Sequence, residues 1–89
     1  MKNGIYCKVL DSSVIKSVIY DKANSYLYVH FHTGSIWQYE DVGLEDYYDL
    51  ITSKSAGVYF NKNIRNHYVG NKIGILLEND SRSSSANNE

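Results

Sequence analysis

Residues 26–32 alternate strictly between two kinds of side chain, and this pattern limits the fold more than any other feature of the chain. Leu27, Val29 and Phe31 point to one side of an extended backbone, while tyrosines and histidines point to the other. Such period-two alternation is typical of a half-buried antiparallel strand. Residues 35–40 alternate as well, after a threonine and a glycine, so the two runs predict a β-hairpin.

The turn chemistry predicts the register of this hairpin. A two-residue type I′ turn would need a positive φ at Thr33, which a β-branched residue resists. A three-residue loop needs a positive φ only at Gly34. That register pairs Val29 with Trp37 and turns Trp37 and Tyr39 toward the core, which removes them from an aromatic platform on the outer face.

Other segments extend this sheet and add helices. Residues 14–20 are β-branched and apolar and predict a further strand, and residues 5–10 can add an edge strand. After residue 43 the apolar period becomes helical, with acidic residues in the first turn. This helical stripe consists of Leu44, Tyr47, Tyr48 and Ile51.

A second helix is predicted to begin at an N-cap, Ser55, to bury Phe60 and Ile64, and to end at Gly70. Residues 73–77 form a short apolar run that predicts either a last strand or a helical turn. We therefore expect an α+β fold, with an antiparallel three- to four-stranded sheet followed by two helices packed on one face.

The 89 residues leave room for one domain, expected over residues 1–79, and residues 80–89 are predicted to be a disordered polar tail. The nine tyrosines imply a core whose hydroxyl groups need partners. Cys7 is the single cysteine, and residues 1–5 lack the apolar run of a signal peptide. We expect a cytoplasmic protein with no membrane segment.

A series of short motifs, in order and at the right spacing over about residues 8–70, resembles the KTSC domain family. Two small departures are Val14 and Trp37, where the family pattern has Ile and Tyr. The motifs that carry the resemblance are Ser12-Ser13-Val14-Ile15, Tyr20-Asp21, Leu27-Val29-Phe31, Gly34, Trp37-Gln38-Tyr39, Ser55, Gly57, Phe60-Asn61, Ile64-Arg65 and Tyr68.

The resemblance implies an α+β domain but little about function. The family is named for a module at the C-terminus of some lysyl-tRNA synthetases, and it also occurs as a free-standing bacterial protein. That context implies RNA binding only by analogy at the level of the fold.

Charge is distributed unevenly along the chain, although its net value of −1 argues against a strong non-specific nucleic-acid binder. Five acidic residues lie within residues 40–49, whereas residues 50–77 contain only basic charges. This pattern indicates either two neighbouring elements of complementary charge or an anion-binding face.

No catalytic, metal or cofactor motif is found in the sequence. His30 and His32 lie two apart on a strand and could share a face, but a metal needs a third ligand and none is near in sequence. Neither Cys7 nor any serine lies in a nucleophile motif, and no glycine-rich phosphate loop is present. We expect a protein that is not an enzyme and holds no metal or cofactor.

The second helix carries the candidate ligand-binding residues. Its amino end and basic side chains favour an anion, and an asparagine, an arginine and a tyrosine are expected to follow Gly57 along one stripe. Arg65 and Asn61 can equally anchor the helix to the sheet, for example through Asp21. The candidate residues are Lys54, Ser55, Asn61, Lys62, Arg65 and Tyr68.

Two functional hypotheses remain open at this stage. The first is a non-catalytic binding module for RNA or a phosphate-bearing nucleotide, with Lys72 adding to the charge of the second helix. The second is a protein-interaction or self-association module that acts through a sheet edge or residues 73–77. Steep weakening with salt is expected of the first and not of the second.

Overall fold

The computed structural model describes residues 4–75, which form a five-stranded antiparallel sheet and two helices. The sheet order β1-β2-β3-β4-β5 follows the chain, and the helices come between β4 and β5. The elements are β1 (Ile5–Val9), β2 (Ile15–Asp21), β3 (Tyr26–Phe31), β4 (Ser35–Tyr39), α1 (Leu44–Thr52), α2 (Ala56–Asn63) and β5 (Gly70–Ile75).

The α+β class is confirmed, but the expected strand count of three to four is wrong. The fifth strand, β5, contains two glycines and lacks a clear alternation, so its own sequence favours a strand only weakly. It becomes a strand by pairing with β4, from Tyr39 opposite Gly70 to Ser35 opposite Ile75. Residues 76–77 of the apolar run and the predicted tail at 80–89 lie outside the described residues.

The predicted hairpin register is confirmed. Val29 lies opposite Trp37 and Leu27 opposite Tyr39. The turn is closed by the Gly34 N–H, which donates to the carbonyl of Phe31 at 2.9 Å, and Gly34 has a φ of +100°. Only a residue without Cβ adopts this conformation at no steric cost.

The helices pack on one face of the sheet through aromatic side chains. Tyr47 of α1 stacks on Tyr20 of β2 at 5.3 Å, and Phe60 of α2 meets the rings of Phe31 and Tyr39 edge-on at 5.4 Å. The buried core consists of Ile15, Val18, Tyr20, Leu27, Val29, Tyr39, Val42, Tyr47, Leu50, Ala56, Phe60 and Ile64.

Helix α2 is shorter than the sequence predicted, because it ends at Asn63 and not at Gly70. Near the helix end, two side chains bond to main-chain carbonyls. The Asn63 amide donates to the carbonyl of Tyr59, and an imidazole nitrogen of His67 bonds to the carbonyl of Lys62. These bonds satisfy carbonyls near the helix end, after which the chain turns back to the sheet as β5.

The two helices do not cover the whole core face. Their ring contacts extend from Tyr6 of β1 to Tyr39 of β4, and β5 lies beyond them at the edge. Ile73 and Ile75 of β5 are 52% and 60% exposed. In the described part of the chain, neither helix has the length and hydropathy needed to cross a membrane.

Candidate functional site

A cleft of about 460 Å³ lies over β4, beside α2, on the part of the core face that the helices leave open. Aromatic rings form its floor, while amides, hydroxyls and one guanidinium surround its mouth. The residues that line it are Val14, Phe31, Thr33, Ser35, Trp37, Tyr39, Phe60, Asn61, Arg65, Asn66 and Gly70.

The floor is a pair of stacked rings. Trp37 and Tyr39 lie two residues apart on β4, so both face the cleft, with ring centroids 6.2 Å apart and planes 19° from parallel. The Tyr39 ring lies against Gly70, where a Cβ atom would come within 2.3 Å of it. The absence of a side chain at Gly70 therefore allows this ring position.

Arg65 stands at the rim of the cleft with its side chain exposed. Its Nη1 donates to Oδ1 of Asn61, one turn earlier, at 3.3 Å. Burial raises the pKa of the Tyr39 hydroxyl, and the positive charge of Arg65 partly opposes that rise. The guanidinium therefore acts electrostatically on the cleft floor, while most of its donors face solvent.

The alternative in which Arg65 anchors α2 to Asp21 is not what the structure shows. Both carboxylate oxygens of Asp21 bond within the next turn, to the N–H groups of Ala23 and Asn24 and to the Asn24 amide at 2.8 Å. The bond between Arg65 and Asn61 is exposed, so neither residue fills a buried structural position.

The structure places Lys54 and Ser55 in a different, smaller cleft at the amino end of α2. Ser55 is the N-cap, and its hydroxyl accepts from the Val58 N–H at 3.3 Å. The carboxylate of Asp11 lines the same cleft of about 340 Å³, and its charge opposes anion binding there. Asn61 lines both clefts.

Lys62 and Tyr68 line neither of these two clefts. Lys62 is exposed on the side of α2 away from the buried Phe60 and from the buried C-cap residue Ile64. The hydroxyl of Tyr68 donates to Asp46 of α1. The expected common stripe with Arg65 is wrong for Tyr68, because the helix ends before it.

Asp46 joins α1 to the segment around α2 through two tyrosine hydroxyls. Tyr59 donates to one of its oxygens at 2.9 Å and Tyr68 to the other. The bond to Asp46, together with partial burial, raises the pKa of Tyr68 to about 12. Burial, followed by the bond to Asp46, raises the pKa of Tyr59 as well.

The two histidines of the His-x-His motif lie in different surroundings. His30 belongs to β3 and faces away from the helices, whereas His32 lies in the turn after it, with its Nε2 2.7 Å from the carbonyl oxygen of Ser12. Residues 4–75 contain no group of three or more side chains able to hold a metal ion.

Sequence reasoning missed the cleft itself, although it placed Trp37 and Tyr39 on the core face. It assumed that two helices would cover the whole core face of a three- to four-stranded sheet, but the sheet has five strands and is wider. Asn66 was also missed, because it was assigned to the helix interior. The sequence of residues 70–75 could have indicated that part of the core face stays uncovered, because Lys72 interrupts its apolar pattern.

The comparisons with known proteins agree on one family. No curated protein matches the chain significantly. The crystal structure of a KTSC domain protein from Yersinia pestis is similar, with a TM-score of 0.74 and 27% identity, covering 79% of this chain and 99% of that one. The KTSC domain profile matches residues 11–68, and the chain therefore belongs to the KTSC domain family.

Proposed function

We propose that this protein is a small non-catalytic binding module for a phosphate-bearing nucleotide, either free or within RNA, and that the nucleotide binds in the cleft over β4. The observation that supports this best is that the exposed Arg65 lines the same cleft as the stacked rings of Trp37 and Tyr39. Flat apolar rings next to a cation match a nucleotide, which joins a flat base to a negative phosphate.

The base stacks on the open face of Trp37. A base inserted between the rings of Trp37 and Tyr39 would need the two ring planes to be two stacking distances apart, about 3.4 Å each or about 6.8 Å in total. The centroids are 6.2 Å apart, and the planes of two nearly parallel rings are no farther apart than their centroids. Trp37 is half-buried, so its ring is fixed by its neighbours while part of it still meets solvent.

The phosphate binds Arg65. A guanidinium presents its donors in a planar fork that suits two oxygens of one phosphate. Asn61 accepts from Nη1 and so holds the fork in place before the ligand arrives. This reduces the conformational entropy lost on binding.

The composition of the cleft supports binding and not catalysis. Among the described residues that line it there is no carboxylate, imidazole or thiol, so the hydroxyls of Thr33 and Ser35 have no usual general base beside them in the cleft to activate them as nucleophiles. We also propose the cytoplasm as the compartment, since the single thiol, Cys7, is unbridged and exposed.

Trp37 is the only tryptophan, so its fluorescence reports directly on the proposed site. We expect adenosine 5′-monophosphate to quench it saturably and adenosine to bind at least tenfold more weakly, because adenosine lacks the phosphate. The affinity for the monophosphate should also fall as salt rises. Equal affinity for the two compounds, or no saturable quenching at all, would contradict the proposal.

A second candidate function, protein interaction or self-association, rests on β5. This strand lies at the sheet edge, and its exposed Ile73 and Ile75 can pair with another extended chain or cover an apolar surface. Such an interface would persist at high salt. Sedimentation of the purified protein at low and high salt, with and without nucleotide, separates the two functions.

A further inference from the structure

A second cation, Lys72, lies beside the cleft on the β5 side, although it is not one of the residues that line it. Lys72 pairs with Trp37 across β4 and β5, and residues directly opposite in an antiparallel pair place their side chains on the same face. Lys72 is exposed. The register shifts between Ile36 and Trp37, but the pairs from Trp37 to Tyr39 are regular, so Lys72 shares the face of Trp37.

Trp37 consequently has two cationic residues near it, one in the same cleft and one on the neighbouring strand. Arg65 lines the cleft from the segment after α2, and Lys72 lies on β5, whose backbone is about 4.8 Å from that of β4. A nucleoside monophosphate has one phosphate and can satisfy only one of them. A nucleotide inside a strand has a phosphate on each side of its base.

We infer that the ligand is a single-stranded nucleic acid, with one internal base stacked on Trp37, one flanking phosphate on Arg65 and the other on Lys72. This inference rests on the proposed function and adds the polymeric nature of the ligand. Among residues 4–75, no element lies beyond β5 to close the cleft on that side, and this openness supports a strand that continues past the stacked base.

Adenosine 3′,5′-bisphosphate is the smallest probe of this geometry, since it places a phosphate on each side of one base. In Trp37 fluorescence titrations we expect it to bind about five- to tenfold more tightly than adenosine 5′-monophosphate. Lys72→Ala should remove this advantage, because it should weaken the bisphosphate much more than the monophosphate. Lys62→Ala, which removes the same charge outside the cleft, should change neither affinity.

Hexamers of RNA and of DNA extend the test. Binding of either hexamer more tightly than the bisphosphate supports a strand ligand, and the ratio between the two identifies the preferred sugar. Lys72→Ala should lower the slope of log affinity against log salt by about 0.7 for a hexamer, the value for one phosphate of a single strand. A circular dichroism melt confirms that the variant is folded, and Lys72→Gln serves as a second variant of similar length.

The outcomes separate the two proposals. If the bisphosphate and the monophosphate bind wild-type protein equally, or if Lys72→Ala weakens neither the bisphosphate nor the hexamers, the strand inference is wrong and nucleotide binding still stands. If no nucleotide quenches Trp37, both proposals are wrong.

Discussion

Replacing Arg65 with alanine separates a ligand-binding arginine from a structural one. Arg65 is exposed, and its side chain makes one hydrogen bond, to the equally exposed Asn61. Loss of an exposed bond of this kind costs at most about 0.5 kcal/mol of unfolding free energy. For a domain of this size that corresponds to a decrease in melting temperature of about 2–4 °C.

The effect of the same change on binding should be far larger. A hydrogen bond between an arginine and a phosphate contributes about 1.5–3 kcal/mol, so we expect the affinity for adenosine 5′-monophosphate to fall about ten- to hundredfold. Calorimetric titration measures the affinity, and thermal melts followed by circular dichroism measure stability. Lys62→Ala is the matched control, because it removes one exposed positive charge from the same segment outside the cleft.

Either of two results would contradict a phosphate-binding role for Arg65. A structural anchor would cost about 1–3 kcal/mol when removed, which lowers the melting temperature by roughly 4–24 °C. If Arg65→Ala has that effect, or if it leaves nucleotide affinity equal to that of Lys62→Ala, the guanidinium does not bind phosphate.

Three further predictions concern stability and metal binding. Gly70→Ala should lower the free energy of unfolding by about 1–3 kcal/mol, because its Cβ would overlap the neighbouring tyrosine ring. Gly74→Ala should lower it far less, because the space around Gly74 is open. Urea-induced unfolding of the two variants compares these effects. The free energy of unfolding should fall between pH 10 and 12, because tyrosine in the unfolded chain ionises near pH 10 while Tyr68, bonded to Asp46, has a pKa raised to about 12. Tyr68→Phe should reduce this fall. A pH profile that the variant leaves unchanged would contradict the prediction. Elemental analysis of protein purified without a His-tag should find far less than one equivalent of zinc, nickel or copper, and a stoichiometric ion lost on replacing His32 would show the opposite.

The parts of the fold that depend on residues close together along the chain could be predicted from the sequence. The alternation in β3 and β4, with a glycine able to take a positive φ between them, was enough to determine the register that places Val29 opposite Trp37. Strand β5 could not be predicted in the same way. Its residues have weak strand preference, and their structure comes from pairing with β4, which lies more than 30 positions earlier in the chain.

The candidate site could be predicted only in part, for related reasons. Asn61 and Arg65 were identified from the second helix, and the structure places both at the cleft. Tyr68 follows the helix end, where the side chains of Asn63 and His67 bond to main-chain carbonyls, and it bonds to Asp46 instead of joining the stripe. The cleft depends on how much of the sheet the helices cover, a property of the assembled fold.

The most direct test of the central claim is a two-dimensional ¹H–¹⁵N NMR titration of labelled protein with adenosine 5′-monophosphate. Nucleotide binding over β4 predicts saturable shifts of the Trp37 indole N–H and of the Tyr39, Arg65 and Gly70 amides, with little change at the amino end of α2. Shifts confined to residues 54–58 or to the opposite face of the sheet, or no saturable shift, would contradict it.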